Sequence, residues 1–206
     1  MTFEVTHHDL AARLGKLETN HGTLETPTLL PVISPRDRVI PPARMKEFGA
    51  GAVITNAYFI KKEFGEEALD RGVHGFLEFD GPVMTDSGAF QAMSGMEIGL
   101  TNREIIEFQK RIGVDMGIIL DQATASRNRE DVEKAVAATI ASAREAAKLV
   151  DGARLWVCPV QGSVFPDLVR KSARAVPKEF DVCALGSVVP LMERYNFDLV
   201  VRAIAA

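Results

Sequence analysis

The chain has 206 residues, 47% hydrophobic and 25% charged, with a formal net charge of −4 at pH 7. This is an ordinary globular composition with enough apolar residues for one good core or one large unfinished domain, and it excludes a disordered chain. The negative balance also excludes a protein that holds nucleic acid by bulk electrostatics alone, while leaving room for a local basic face.

The opening stretch, "FEVTHHDLAARLGKLETNHGTLETPTLLPVIS", alternates polar and apolar residues and is punctuated by Gly15 and by Asn20-His21-Gly22. This predicts short antiparallel strands joined by a turn, an N-terminal β cap over residues 1–27. Next, "TLLPVI" predicts a buried strand followed by a helix over 41–48, and "AVITN" a second strand followed by a helix over 60–71. "VMT" is a third, short strand, and beyond a Gly- and Met-containing loop comes the helix "NREIIEFQKRIG". "MGIILD" is the fourth, followed by a long amphipathic helix over 129–150, with Val132, Val136, Ile140, Ala143 and Ala147 at three- and four-residue steps. "RLWVCPVQ" and "FDVCALG" are the fifth and sixth strands, followed respectively by the helix "VFPDLVRKSARA" and a final helix from about Leu191.

Strands apolar on both faces and alternating with helices predict parallel pairing with helices packed outside. In the absence of a Gly-rich dinucleotide loop, the pattern fits a (β/α)8 TIM-type barrel better than a doubly wound sheet, although periodicity alone does not choose between them. The expected class is therefore α/β: an incomplete barrel of about six βα units in one catalytic-type domain over 1–206, two units short of eight. No apolar run approaches the length that spans a bilayer, and "MTFEVTHHDLAARLGK" lacks the layout of a secretory signal, which predicts a cytoplasmic protein without membrane contact. Cys158 and Cys183 lie in apolar runs and read as buried free thiols. The four histidines read as too few and too scattered for a metal site, with His7-His8 on solvated strand or turn.

The unusual polar residues follow strands directly. Asp86 comes after the third predicted strand, Asp121 after the fourth, Gln161-Gly162 after the fifth and Gly186-Ser187 after the sixth. In a parallel barrel these positions share the carboxyl-end rim where barrel enzymes build their sites. Taken alone, each reads as a helix cap or a tight-turn glycine; together they point to one cleft. Two carboxylates there suit a nucleophile or general base and an anchor for the N–H donors of a guanine-like edge. Phe90 offers a ring for stacking or for core packing, and the Gln161 amide both donates and accepts.

The segments "TDSGAFQ" (85–91), "NREIIEFQKRIGVDMGIILD" (102–121), "LWVCPVQGSVFPDLVRKSA" (155–173) and "ALGSVVPLMERY" (184–195) together resemble the tRNA-guanine transglycosylases. The likeness is greatest to the archaeal type, which inserts 7-cyano-7-deazaguanine (preQ0) on the way to archaeosine. The resemblance implies that Asp86 is the active-site aspartate, the covalent nucleophile of archaeal members, and that Ser87, Phe90 and Gln91 shape the base pocket. It implies that Asp121 recognises the purine-like edge, and that Gln161 and the backbone around Gly186, Ser187 and Val188 contact the base's carbonyl and amino groups. The implied substrates are tRNA and guanine or 7-cyano-7-deazaguanine.

Two departures accompany the resemblance. The family's second catalytic aspartate has no counterpart segment here, and its structural zinc motif, Cys-x-Cys-x-x-Cys plus His, is missing, so no cofactor or metal is expected in this chain. The chain reads as the N-terminal part of a catalytic domain, with a homo-oligomer or a partner chain completing the barrel. Arg127 and Arg129, next to Asp121, are the favoured candidates for tRNA phosphate contacts; Arg36, Arg38, Arg44 and Lys46, and Arg170, Lys171 and Arg174, form further basic groups. The alternatives are a partner-dependent paralogue that binds the base or tRNA without turnover, and an unrelated barrel hydrolase with Asp86 and Asp121 as its acid and base.

Overall fold

Polar-apolar alternation at the start of the chain produces an antiparallel sheet of three strands, β1 (Phe3–Asp9), β2 (Ala12–Thr19) and β3 (Gly22–Thr26), in that order. The structure is a computed structural model that describes residues 3–10, 12–88 and 99–206. Gly15 is required where β1 crosses β2, because a Cβ there would stand 2.6 Å from the Glu4 carbonyl oxygen. The two-residue turn Asn20-His21 joins β2 to β3, and Thr19 Oγ1 closes it by donating to the Gly22 carbonyl at 2.7 Å. The expected N-terminal antiparallel strands are thus present.

Residues 28–33, expected as a strand, do not form one. Val32 makes a single parallel bridge to Ile54, flanked by Ile33 N–H to the Ile54 carbonyl at 2.8 Å and Ile54 N–H to the Pro31 carbonyl at 3.0 Å. Pro31 has no N–H to extend the ladder, and Leu29 and Val32 are 79% and 80% exposed, so neither hydrogen bonding nor burial supports more. The helix expected over 41–48 follows as a 3-10 helix at Pro42–Phe48.

The parallel strands are β4 (Val53–Asn56), β5 (Val83–Asp86), β6 (Met116–Ile118), β7 (Leu155–Val160) and β8 (Val182–Leu185), hydrogen-bonded in chain order. The helices are α1 (Ala57–Leu77), α2 (Asn102–Arg111), α3 (Arg129–Ala146), α4 (Pro166–Arg174), α5 (Val189–Met192) and α6 (Phe197–Ile204). The class is mixed α/β; among the described residues there are five parallel strands rather than six, in an open order with no closed ring. Every residue of β7 is buried, which is why "LWVCPV" is apolar without alternation. β8 ends the order, and Cys183 on it is exposed, which corrects the expectation of two buried thiols; Cys158 on β7 is buried.

The chain divides into two compact units, Met1–Ser87 with Glu107–Gly117 and Asp151–Leu155, and Gly88–Ile106 with Ile118–Val150 and Trp156–Ala206. The first has Val53, Ile60, Phe76, Leu77, Phe79, Val83 and Ile112 in its core. The second packs Val132 and Val136 of α3 on Leu168 of α4, with Ile140 and Phe165 beside them, and Val160 on Val169 and Ala203. The stripe expected on α3 is the one buried.

Candidate functional site

In the first unit the site residues depend on how two strand ends are finished. Asn56 ends β4, Asp86 ends β5, and the two are direct partners in the parallel register. Asn56 is also the N-cap of α1, so its Oδ1 accepts from the Phe59 N–H at 3.0 Å and satisfies one of the helix's unpaired donors. This fixes the amide, whose Nδ2 then donates to Asp86 Oδ2 at 3.2 Å. One residue back, Thr85 Oγ1 donates to the buried Gln109 Oε1 at 2.6 Å and anchors the strand end beneath Asp86. Ser87 is fully buried, and its hydroxyl has no hydrogen-bond partner among the described residues. An orphaned buried hydroxyl costs roughly 1–3 kcal/mol, which a ligand group would recover. Phe90 and Gln91 lie outside the described residues.

In the second unit, Asp121, Gln161, Gly186 and Ser187 come together. Gln161 follows β7 directly, is 1% exposed, and its backbone N–H donates to Ser172 Oγ at 3.1 Å. Its side-chain Nε2 donates to Asp121 Oδ2, and its Oε1 accepts from Ser187 Oγ at 2.5 Å. The Ser187 hydroxyl in turn accepts from the Thr124 N–H at 3.2 Å. Ser187 adopts a left-handed φ of 57°, a conformation that a non-glycine residue holds only when its surroundings over-determine it. Gly186 must be glycine because a Cβ would lie 2.3 Å from Gln161 Nε2. Gly162 has a comparable reason, since a Cβ there would lie 2.4 Å from the Val169 backbone nitrogen.

The backbone around Asp121 is fixed from both helices that flank it in sequence. Asn102 Oδ1, on α2, accepts from the Leu120 N–H at 2.9 Å; Ser142 Oγ, on α3, donates to the Leu120 carbonyl at 2.6 Å; and Thr139 Oγ1 accepts from the Gln122 N–H at 3.1 Å. Val188 precedes α5, and its carbonyl accepts from Leu191 and Met192. Arg127 is exposed. Arg129 pairs with Glu133 at 2.9 Å and with Asp167, and lies over the Phe165 ring at 5.3 Å. In the first basic group, Arg36 pairs with Glu63, Arg44 with Glu47 and Lys46 with Asp80.

Asn56, Asn102, Thr124, Thr139 and Ser142 were not singled out from the sequence. Only Asn56 carried a local signal, a strand-terminal Asn before a helix. Burial, followed by the charges of Cys183 and Asp121, pushes the Cys158 thiol up to about 12, so it is an inert neighbour of the site.

A family model described as "Queuine tRNA-ribosyltransferase" matches residues 9–206. The tRNA-guanine(15) transglycosylase of Methanosarcina barkeri is 44% identical over 208 residues, covering 99% of this chain and 42% of the relative. That of Archaeoglobus fulgidus is 45% identical over 205 residues, covering 98% and 43%. That of Methanopyrus kandleri is 44% identical over 212 residues, covering 100% and 46%. The chain thus spans less than half the length of these curated relatives. It belongs to the queuine tRNA-ribosyltransferase family, the tRNA-guanine transglycosylases, and its likeness is to the archaeal type.

Proposed function

We propose that this chain carries base-exchange machinery of a tRNA-guanine transglycosylase, replacing guanine in tRNA with 7-cyano-7-deazaguanine in archaeosine biosynthesis. The observation that carries the reading is the Asp121-Gln161-Ser187 chain, a carboxylate and an amide held in one orientation at the ends of successive strands. A flat base with amino and carbonyl edges is complementary to such a set, and a base lacking one donor leaves a buried acceptor unpaired at a cost of roughly 1–3 kcal/mol.

In the proposed reaction the target nucleotide leaves its stack, at a cost of a few kcal/mol. An Asp86 carboxylate oxygen attacks C1′ of the ribose as the bond to guanine N9 breaks, and the departing base takes the electron pair and a proton from solvent. The result is a glycosyl ester on Asp86. The deazaguanine's ring nitrogen then attacks the same carbon, loses its proton, and returns the carboxylate, so two displacements exchange the base with the phosphodiester chain intact. The Asn56 amide steadies the ionised form of Asp86. Asp121 and Gln161 read the base edge, Ser187 orients Gln161, and the orphaned Ser87 hydroxyl faces a group of the bound nucleotide. Arg127 contacts tRNA phosphate.

Labelled guanine or 7-cyano-7-deazaguanine exchange into an unmodified tRNA tests this. The parent should incorporate label, and Asp86→Ala should lose about 1,000-fold or more while keeping its fold. A denaturing gel of the parent stalled without incoming base should show tRNA bound covalently, with no such band in Asp86→Ala. Exchange that survives Asp86→Ala would assign the covalent step elsewhere. A second reading, binding of base or tRNA with turnover dependent on further protein, is favoured by the coverage of 42–46% of the relatives. Calorimetric binding of 7-cyano-7-deazaguanine without exchange would select it.

A further inference from the structure

Two of the four histidines that look scattered along the chain converge in the fold. His21 sits in the turn between β2 and β3, His74 in the last turn of α1, and Asp115 immediately before β6, all in the first unit. The Asp115 side chain is 0% exposed. Its Oδ1 accepts from the His21 backbone N–H at 3.1 Å and stands 2.9 Å from His21 Nδ1. Its Oδ2 accepts from the Val83 N–H at 2.8 Å and stands 2.9 Å from His74 Nε2. The two imidazoles stack with centroids 3.6 Å apart. One donor atom from each of the three residues consequently lies within 4.8 Å of the other two.

We propose that His21, His74 and Asp115 form a zinc-type divalent metal site that fastens the β2–β3 turn to α1 and to the start of β6. Two imidazole nitrogens and one carboxylate are the borderline donor set that suits zinc, whereas calcium and magnesium take oxygen ligands. An ion with bonds of about 2.0–2.2 Å keeps its donors roughly 3 Å apart, the separation already present between the carboxylate and each ring. The backbone N–H groups of His21 and Val83 hold the carboxylate from outside the donor set, the usual support for a ligating group. The His21 side chain is 42% exposed, which gives an ion a route in and leaves room for a water in the fourth position. The site is distinct from the cysteine-rich zinc motif of the family, since this chain has only Cys158 and Cys183.

Zinc titration of the metal-stripped chain against a chromophoric chelator tests the site, with His21→Ala, His74→Gln and Cys183→Ser alongside and circular dichroism as the folding control. One zinc per chain is expected, with affinity lowered about 10-fold or more in both histidine variants and unchanged in Cys183→Ser. Cobalt should give visible ligand-field absorption without a thiolate charge-transfer band. His21 is in an exposed turn, so its variant keeps the fold even where a variant at buried Asp115 does not. No stoichiometric binding at micromolar zinc, equal binding by His21→Ala, or loss of binding in Cys183→Ser would each overturn the proposal. None of these readouts depends on base exchange.

Discussion

Two carboxylates flank β6, Asp115 just before it and Asp121 just after its last residues, and the fold treats them in opposite ways. Asp115 is buried and saturated. Burial would raise its pKa, but the bonds from His74, from the Val83 N–H and from His21 outweigh that and hold the carboxyl below the ordinary value. Asp121 is half-buried and met by the oriented Gln161 amide in a loop whose backbone is tied down on both sides. The same residue type is therefore a fastening at the amino end of the strand and, in the proposed reaction, a reading group at the carboxyl end, the division of labour common to parallel βα proteins.

Asp115→Ala should have the largest effect on stability. It leaves two imidazoles and two backbone N–H groups without their acceptor, and should cost about 3–5 kcal/mol in urea unfolding. A loss below about 1 kcal/mol would remove the distinction between the two carboxylates. Asp121→Asn should change unfolding by less than about 1 kcal/mol while raising KM for the free base about 10- to 100-fold. Should stability fall as far as in the Asp115 variant, Asp121 would be a fastening too.

Gly186→Ala places a Cβ 2.3 Å from Gln161 Nε2 and should destabilise by about 1–3 kcal/mol, with weaker base binding as the amide leaves Asp121. Wild-type calorimetry for that variant would show that the amide swings without consequence. The smallest effect concerns reactivity. With its thiol pushed up to about 12, Cys158 should resist iodoacetamide at pH 8 for as long as exposed Cys183 takes to be alkylated, and mass spectrometry of the labelled chain checks the order.

Much of this was legible in the sequence because the signals were local. Strands such as "LWVCPV" are apolar throughout, the α3 stripe recurs with the helical period, and a polar residue directly after an apolar run marks a strand end. Asp86, Asp121, Gln161, Gly186 and Ser187 were all singled out that way as candidates at strand ends, and the last four of them lie together. The failures are equally physical. Residues 28–33 have a strand's apolar content, but Pro31 lacks the N–H that a ladder needs. The partners that give the site its geometry, Asn102 and Ser142 on Leu120 or Asn56 on Asp86, are joined by tertiary contact and leave no periodic trace. The same holds for the stacked pair His21 and His74.

Asn56 carries a consequence of its own. Its oxygen is committed to starting α1, so the atom it presents to Asp86 is necessarily an N–H. A carboxylate is the natural companion of that donor. Helix initiation and the hydrogen bond to the neighbouring acid are thus written into one side chain, and turning that amide over would lose both at once.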